Sequence, residues 1–272
     1  MEDSDLYAED HHWGDKPIDV RGRSLPALKI RYLLQNLPVT GRALEFGCGS
    51  GKLLNTISQY RPGLELHGCD IRPLRYVPEH FSFTQLEQAH TTLPYEAHEF
   101  DAVLMVDVLE HLVDPPVVLN GVRNVLRPEG RLVSFTPLEG QPFSFYRIFR
   151  RILGDDLYRI TKEHTQTFSE ASLRGLLETD FVVVDFEYVY HLFGHLMDAT
   201  LFALLASQRL RNRFWQENPF YDESLASSDG RRRQTPLAVA LQIANIMAYL
   251  ESRVLRRVRL TSAGLLFAAA PR

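Results

Sequence analysis

The segment from residue 44 to residue 51 constrains this chain more than any other. It reads Leu-Glu-Phe-Gly-Cys-Gly-Ser-Gly: the end of an apolar strand that carries an acid, then glycine at alternate positions. Glycine has no Cβ and tolerates positive φ, so this loop can bend sharply beneath a small molecule. A helix beginning near Lys52 would offer unpaired backbone N–H groups to the same ligand. The segment therefore predicts a ligand site built largely from backbone.

Two familiar glycine-rich loops do not fit the spacing. A phosphate-binding P-loop needs glycine five residues before Gly51 and Ser or Thr after Lys52, where the chain has Phe46 and Leu53. A dinucleotide-binding fingerprint would place its third glycine at position 52, which is Lys52. The pattern that remains is acid-x-Gly-x-Gly-x-Gly.

A second predicted strand, residues 65–70, ends in Asp70. Doubly wound sheets place a carboxylate on ribose hydroxyls roughly 20 residues after the glycine turn, so Asp70 is the predicted ribose ligand. The alternative is an Asp that caps the following helix, which Pro73 would suit.

The order of the later elements predicts a doubly wound α/β fold. Residues 102–106 and 132–135 are almost continuously apolar, as in strands buried on both faces of a parallel sheet. A helix at about 115–126 separates them. The alternation of strand, helix and strand favours helices on both faces of the sheet.

These motifs together resemble class I S-adenosylmethionine-dependent methyltransferases, and in particular the glycan, lipid and quinone O-methyltransferases among them. In order, the chain carries Glu-x-Gly-x-Gly-x-Gly at 45–51, an acid-ended strand at 65–70, Leu-Pro-Tyr at 93–95, Phe-Asp-Ala-Val-Leu-Met-Val-Asp at 100–107, Leu-Glu-His-Leu at 109–112 and Leu-Arg-Pro-Glu-Gly-Arg-Leu at 126–132. The resemblance implies a Rossmann-like, doubly wound seven-stranded sheet with an antiparallel last strand. Before that strand, this chain adds a helical insertion.

The resemblance also implies which residues bind the cofactor, S-adenosyl-L-methionine. The acid lies near its amino-acid end, the glycines leave room for it, and Ile71 lies against its adenine. The implied set is Glu45, Gly47, Cys48, Gly49, Gly51, Asp70, Ile71, Gln88 and Asp107. Gln88 departs from the family pattern, because many relatives have an Asp there that contacts the adenine amine.

The same comparison of motifs divides the chain. We expect a helical leader at 1–40 and a methyltransferase core at 41–190, with a lid at 137–165 that carries both aromatic residues and arginines. The helical insertion spans 191–260, and residues 261–272 supply the final strand. The lid leaves the fifth strand at the edge where ligands bind in such sheets.

Composition predicts a cytoplasmic enzyme that does not bind nucleic acid. The net charge is −4, and the acidic start of the chain lacks the basic and apolar regions of a signal peptide. The cysteines, Cys48 and Cys69, both fall in predicted cofactor-site elements. We interpret them as small buried residues rather than as a disulfide, which a reducing cytosol would oppose.

The insertion differs in charge from the rest of the chain. Residues 191–272 hold 11 Lys+Arg against 6 Asp+Glu, whereas the whole chain is acidic. Its apolar stretches, 192–206 and 237–250, are shorter than the roughly 20 residues that span a bilayer. Apolar helices flanked by arginine can lie at the inner face of a membrane. They can equally cap the core or form a homodimer, and the sequence leaves these readings open.

Two histidines are candidate general bases. His111 and His164 can take a proton near neutral pH if the acceptor is a hydroxyl. Asp107, Glu110 and His111 also resemble the acid-x-x-Glu-His arrangement of some metal-dependent methyltransferases. A helix beginning by Asp107 would put these three on one face, where they could hold Mg²⁺. Since Glu-His at this place also occurs in relatives without a metal, we predict no metal.

The resemblance therefore predicts a methyltransferase that modifies an oxygen of a hydrophobic or lipid-linked small molecule, such as a glycolipid intermediate or a quinone precursor. The first alternative is a soluble enzyme for small molecules or natural products. The second is a scaffold that binds the cofactor without catalysis.

Overall fold

The computed structural model describes residues 17–74, 79–87, 93–142, 144–154, 164–205 and 236–272. Its strands are β1 (Thr40–Phe46), β2 (Gly63–Asp70), β3 (Ser82–Gln85), β4 (Phe100–Val106), β5 (Leu126–Pro137), β6 (Phe181–Val189) and β7 (Gly264–Pro271). Its α-helices are α1 (Leu25–Asn36), α2 (Lys52–Tyr60), α3 (Pro115–Val125), α4 (Phe145–Leu153), α5 (Glu170–Leu177), α6 (Leu192–Leu205) and α7 (Pro236–Val254). A 3₁₀ turn, Leu109–His111, follows β4.

The strands form one seven-stranded sheet in the order β3-β2-β1-β4-β5-β7-β6. Strands β1 to β5 are parallel, and β7 inserts antiparallel between β5 and β6. The predicted fold class, including the antiparallel last strand, is confirmed. Because β1 pairs with both β2 and β4, the chain reverses its direction of winding there. The carboxyl ends of β1 and β4 therefore flank the crevice in which such sheets bind ligands.

Local sequence explains the central elements. The middle of β4, residues 102–105, is fully buried because helices cover both faces of a parallel sheet. Helix α1 begins where the Ser24 Oγ accepts from the Ala27 N–H, with a proline in its first turn. Asp114 caps α3 in the same way. The two large apolar clusters of the core lie on opposite faces of the sheet.

The remaining helices build a layer beside the sheet. Helix α7 packs on α1 and β6, α6 packs on α7, and α4 packs on α6. The two helical stretches predicted in the insertion are confirmed as α6 and α7, and α7 continues four residues beyond the predicted end. The predicted lid includes α4, while residues 143 and 155–163 lie outside the described part of the chain. No described helix has both the length and the apolar character needed to cross a bilayer.

Candidate functional site

The glycine turn lies at the carboxyl end of β1 and is held by backbone. The N–H groups of Gly47 and Cys48 both donate to the Cys69 carbonyl, at 2.8 and 3.1 Å. All three glycines have positive φ. A Cβ on Gly47 would lie 2.7 Å from Val108, and one on Gly51 would lie 2.8 Å from Phe81. A Cβ on Gly49 would meet nothing within 4 Å, so the space above Gly49 is open to a ligand.

Glu45 lies buried at the end of β1. One of its carboxylate oxygens has no hydrogen-bond partner. Burial, and then the charge of Asp70, raises the pKa of Glu45, while a hydrogen bond from the Leu54 N–H acts in the opposite direction. A cationic ligand would relieve both the burial cost and the repulsion. S-adenosylmethionine carries an ammonium and a sulfonium group, so its charge fits this pair of acids.

Asp70 closes the turn from the neighbouring strand. Its Oδ2 accepts from the Gly49 N–H at 2.8 Å, and its Oδ1 accepts from the Arg72 N–H at 2.9 Å. No helix begins within residues 71–74, so over these residues the capping alternative has no support. Ile71, the predicted adenine neighbour, is 48% exposed. Gln88 falls outside the described residues.

The two cysteines serve packing. Both are free thiols and both are buried, which confirms the interpretation from sequence. A Cβ on Gly68 would lie 2.9 Å from the Cys48 sulfur, so that glycine makes room for the thiol beneath the turn. Burial raises the pKa of the Cys69 thiol to about 12 and raises that of Cys48 as well. Neither thiol is therefore a nucleophile near neutral pH.

Glu110 lies in the 3₁₀ turn after β4, where it is 1% exposed. Neither of its carboxylate oxygens has a hydrogen-bond partner. Burial raises its pKa well above the ordinary carboxyl range, and the charges of Asp107 and Glu139 act in the same direction. A buried carboxyl group without a partner is costly, which is typical of a group retained for binding or chemistry.

His164 and His111 meet beside this carboxyl group. Their rings are 4.8 Å apart in a T-shaped contact. The N–H groups of Thr165 and Gln166 both donate to the Glu110 carbonyl at 2.9 Å, which ties the segment after β5 to the 3₁₀ turn. The structure thus brings together the two histidines that the sequence predicts as candidate bases, although they are 53 positions apart.

Glu139 lies beside one of these rings. Its Oε1 lies 3.0 Å from the His164 Nδ1, and the side chains are 1% and 9% exposed. The contact does not have the angular geometry of a hydrogen bond, and the His164 Nδ1 has no hydrogen-bond partner among the described residues. The carboxylate is close enough to attract a proton on this nitrogen, which would leave the other ring nitrogen to exchange a proton with an acceptor. The sequence analysis missed Glu139, because no local motif marks it.

The predicted metal-ligand geometry requires a correction. Asp107 does not share a helical face with Glu110 and His111, since it precedes a single 3₁₀ turn and has φ +54°. The donor atoms that do converge, all within 4.8 Å of one another, belong to Glu110, His111 and His164. Oxygen and imidazole donors with an unpartnered buried carboxylate suit a divalent cation.

Asp107 instead binds Lys29. The Lys29 ammonium lies 2.9 Å from the Asp107 Oδ2 and 3.4 Å from the centre of the Phe135 ring. Tyr190 lies on the other side, with its ring centre 5.3 Å from the ammonium. Helix α1 thereby brings a cation against two aromatic rings, one from β5 and one from the residue after β6, beside the carboxyl end of β4. Sequence reasoning missed Lys29, which is an ordinary lysine in an amphipathic helix.

Comparison with known proteins agrees with this geometry. A sequence profile of the methyltransferase domain family matches residues 20–185. The chain belongs to the S-adenosylmethionine-dependent methyltransferase family. Its cofactor is S-adenosyl-L-methionine, and the residues at the crevice fit that group.

Individual relatives of this methyltransferase cover part of it. The ubiquinone biosynthesis O-methyltransferase of Cereibacter sphaeroides is 34% identical over 146 residues, which is 50% of this chain and 57% of that protein. The protein of the same name from Xylella fastidiosa is 26% identical over 47% of this chain and 53% of its own length. The chain thus spans about half the length of these curated relatives.

A solved structure of similar fold is phosphoethanolamine N-methyltransferase 2 of Haemonchus contortus in complex with S-adenosyl-L-methionine. Its TM-score is 0.51 at 15% identity, over 89% of this chain and 52% of that chain. At that identity the similarity shows the fold.

Helix α4, in the predicted lid, is anchored by polar groups from α6. The Tyr146 hydroxyl on α4 donates to the Asp198 carboxylate. His195 is buried with its ring centre 4.4 Å from that of Tyr146, and its Nε2 lies 3.4 Å from the Ser144 Oγ. Beside this anchor is a mainly apolar cavity of about 230 Å³. It is lined by Phe145, Leu192, His195, Leu260 and Thr261.

Proposed function

We propose that this methyltransferase transfers a methyl group to an oxygen of a hydrophobic small molecule, of the quinone-precursor or glycolipid class. One observation carries the proposal: Val108 packs into the space left by the missing Cβ of Gly47. We call the glycine turn of residues 47–51, where the methyl donor would bind, the donor turn. The contact places the donor turn directly beside the start of the 3₁₀ turn that holds Glu110 and His111. A donor site and a candidate proton acceptor therefore share one crevice.

The bound cofactor supplies an electrophilic methyl carbon on its sulfonium sulfur. The protein has to align the acceptor oxygen, remove its proton and exclude water. The acids Glu45 and Asp70, beside the glycine turn, would hold the cofactor. His164, which lies beside the Glu139 carboxylate, and His111 are the proposed groups that receive the hydroxyl proton.

An apolar acceptor fits the other walls of the crevice. Phe135 and Tyr190 lie at its edge with ring centres 5.8 Å apart, and Lys29 covers Phe135. The cavity beside the lid helix is lined mainly by apolar side chains, which suits a hydrocarbon substituent better than a sugar. The relative from Cereibacter sphaeroides, which is named for ubiquinone biosynthesis, supports the same acceptor class.

A metal-assisted reaction is the second candidate, and the unpartnered carboxylate of Glu110 favours it. Glu110, His111 and His164 would hold a divalent cation, which would lower the pKa of a bound hydroxyl. Activity that survives treatment with a chelator would exclude this candidate. Restoration by added Mg²⁺ or Zn²⁺ would support it.

We propose that the enzyme works in the cytoplasm, peripherally associated with the inner face of the membrane, where a lipid-linked acceptor would lie. A soluble enzyme whose insertion caps the pocket or forms a homodimer is the alternative. The two alternatives predict different preferences for the hydrophobic tail of the acceptor.

The experiment compares two acceptors with a labelled methyl donor: a catechol that bears a prenyl tail and the same catechol without it. We expect an O-methyl product from both, with a lower KM for the tailed catechol. A lower KM for the tail-free compound would favour the soluble alternative. Cofactor binding by calorimetry without turnover of either compound would favour the non-catalytic scaffold. Methyl groups found on nitrogen or carbon would overturn the proposed reaction.

A further inference from the structure

Helix α7 presents apolar side chains to solvent along its whole length. These side chains belong to Val239, Ile243, Met247, Leu250 and Val254, and they are between 38% and 78% exposed. Their spacing of four, four, three and four residues puts them on one face of the helix. The opposite face holds Ala248 and Ser252, which are fully buried. Single exposed apolar residues are common, but a continuous row marks an interaction surface. We call these five residues the apolar face.

The neighbouring helices extend this surface. On α6, Leu192 and Leu196 are 55% and 42% exposed and stand one turn apart. On α4, Ile148 and Ile152 show the same one-turn spacing, at 53% and 72%. The three helices lie side by side, since α6 packs on both α4 and α7. The surface therefore continues from α7 across α6 to α4, the helix of the predicted lid.

The acidic residues on the described parts of these helices are engaged inside the protein. The Asp198 carboxylate accepts from Tyr146, and the Glu251 carboxylate accepts from the N–H groups of Phe193 and Gly194 at 3.0 to 3.1 Å. The exposed charges are positive. They belong to Arg147 and Arg151 on α4 and to Arg253 on α7.

We infer that the apolar face is a docking surface for an anionic lipid membrane. Its apolar side chains would enter the interface while the arginines contact anionic headgroups. A second copy of this chain fits less well, because a symmetric contact would bring the same arginines towards each other. The inference rests on the proposed hydrophobic acceptor in one respect: docking would place the lid against the bilayer that holds the acceptor.

The test is flotation of the full chain with vesicles of neutral phosphatidylcholine and with vesicles that also contain phosphatidylglycerol. We expect binding to the anionic vesicles that weakens as salt is added, and little binding to the neutral ones. The variant Ile243→Glu should bind at least ~10-fold more weakly, since it replaces an inserted apolar side chain with an anion. Its matched control is Gln242→Glu, which adds the same charge at an exposed position 100° around the helix. Arg147→Ser should weaken binding to the anionic vesicles about fivefold.

Three results would overturn the inference. The first is equal binding to both vesicle types, and the second is binding that Ile243→Glu leaves unchanged. The third is a dimer in light scattering that Ile243→Glu dissociates while anionic vesicles do not bind, which would assign the face to a second copy.

Turnover of the tail-free catechol without vesicles is measured in parallel and should be unaffected by Ile243→Glu. Vesicle binding without turnover of either catechol would overturn the proposed function and support the docking surface. The two failures are therefore distinguishable.

Discussion

The donor and acceptor sides of the crevice are built in different ways. On the donor side, the main contacts come from residues 45–86, and backbone groups make most of them: two N–H groups on the Cys69 carbonyl, and the Gly49 N–H on Asp70. On the acceptor side, the contacts are between side chains of separate segments: Lys29 pairs with Asp107, Glu139 lies against His164, and the donor atoms of His164 and Glu110 lie within 4.8 Å of each other.

The difference has an energetic counterpart. The donor turn is held by its backbone N–H groups, and one oxygen of Glu45 beside it has no hydrogen-bond partner. The acceptor side holds Glu110 with two unpartnered oxygens and a raised pKa. This difference supports the proposal that the donor side binds a fixed ligand and that the acceptor side retains polar groups in a costly state for chemistry.

The variant His164→Ala should affect the acceptor side alone and give the largest change. We expect turnover to fall by about 10²- to 10⁴-fold because the candidate base is lost, while calorimetric affinity for S-adenosylmethionine stays unchanged. Glu139→Gln should show a smaller loss of kcat. His98→Asn is the control, since His98 lies away from the crevice and Asn tolerates its φ of +59°. Loss of cofactor affinity in His164→Ala would show that the two sides are not separate.

The variant Gly49→Val should affect the donor side. Its side chain would enter the open space of the donor turn, and we expect cofactor affinity to fall roughly 100-fold. Gly154→Val is the matched control. Gly154 also has positive φ and open space around it, but it lies at the end of α4 rather than in the donor turn. Calorimetry should therefore detect the loss only at position 49. Equal losses would assign the effect to backbone strain.

Glu110→Gln should make the protein more stable and less active. A raised pKa means that folded Glu110 holds a proton that the unfolded chain releases, so stability falls as pH rises from the ordinary carboxyl range, near ~4.3, to the raised value. The stability of the variant should therefore fall less as pH rises. Its melting temperature at neutral pH should be a few degrees higher, since each kcal/mol of stability corresponds to about 2–4 °C. Glu178→Gln, at an exposed position, is the control in melts across pH. An unchanged pH profile would contradict the assignment.

The smallest effect should follow Lys29→Met. Asp107 is 50% exposed, so breaking this ion pair should change kcat/KM by no more than about fivefold. We expect the change in KM for the acceptor, because Lys29 lies at the aromatic edge of the crevice. Arg23→Met, an exposed cation just before α1, serves as control in steady-state assays. A change confined to cofactor affinity would show that Lys29 acts in cofactor binding rather than in acceptor binding.

The sequence could predict the sheet and the donor turn because their signals are local. Alternate glycines after an apolar strand, an acid about one βα unit later, and continuously apolar runs at 102–106 and 132–135 each reflect a constraint on neighbouring residues. The histidines were also found, since few side chains titrate near neutral pH. Their contact was not, because it depends on a tie from Thr165 and Gln166 back to the Glu110 carbonyl.

Other features had no local signal. Glu139 and Lys29 stand in ordinary sequence and acquire roles only through partners far along the chain. Asp107 was placed on a helical face that does not form, since the turn after β4 is a single 3₁₀ turn. The insertion was recognised as apolar and basic, but periodicity cannot tell which side of a helix the protein covers.

The sequence by itself determined the fold class, the donor turn and its cofactor, because backbone conformation and burial follow from short patterns of glycine and apolar residues. Only the tertiary structure decided which acid lies beside His164, which cation holds Asp107 and which face of α7 meets solvent. Such pairings depend on the packing of distant segments, and the free energy of that packing is spread over the whole core rather than written in any one motif.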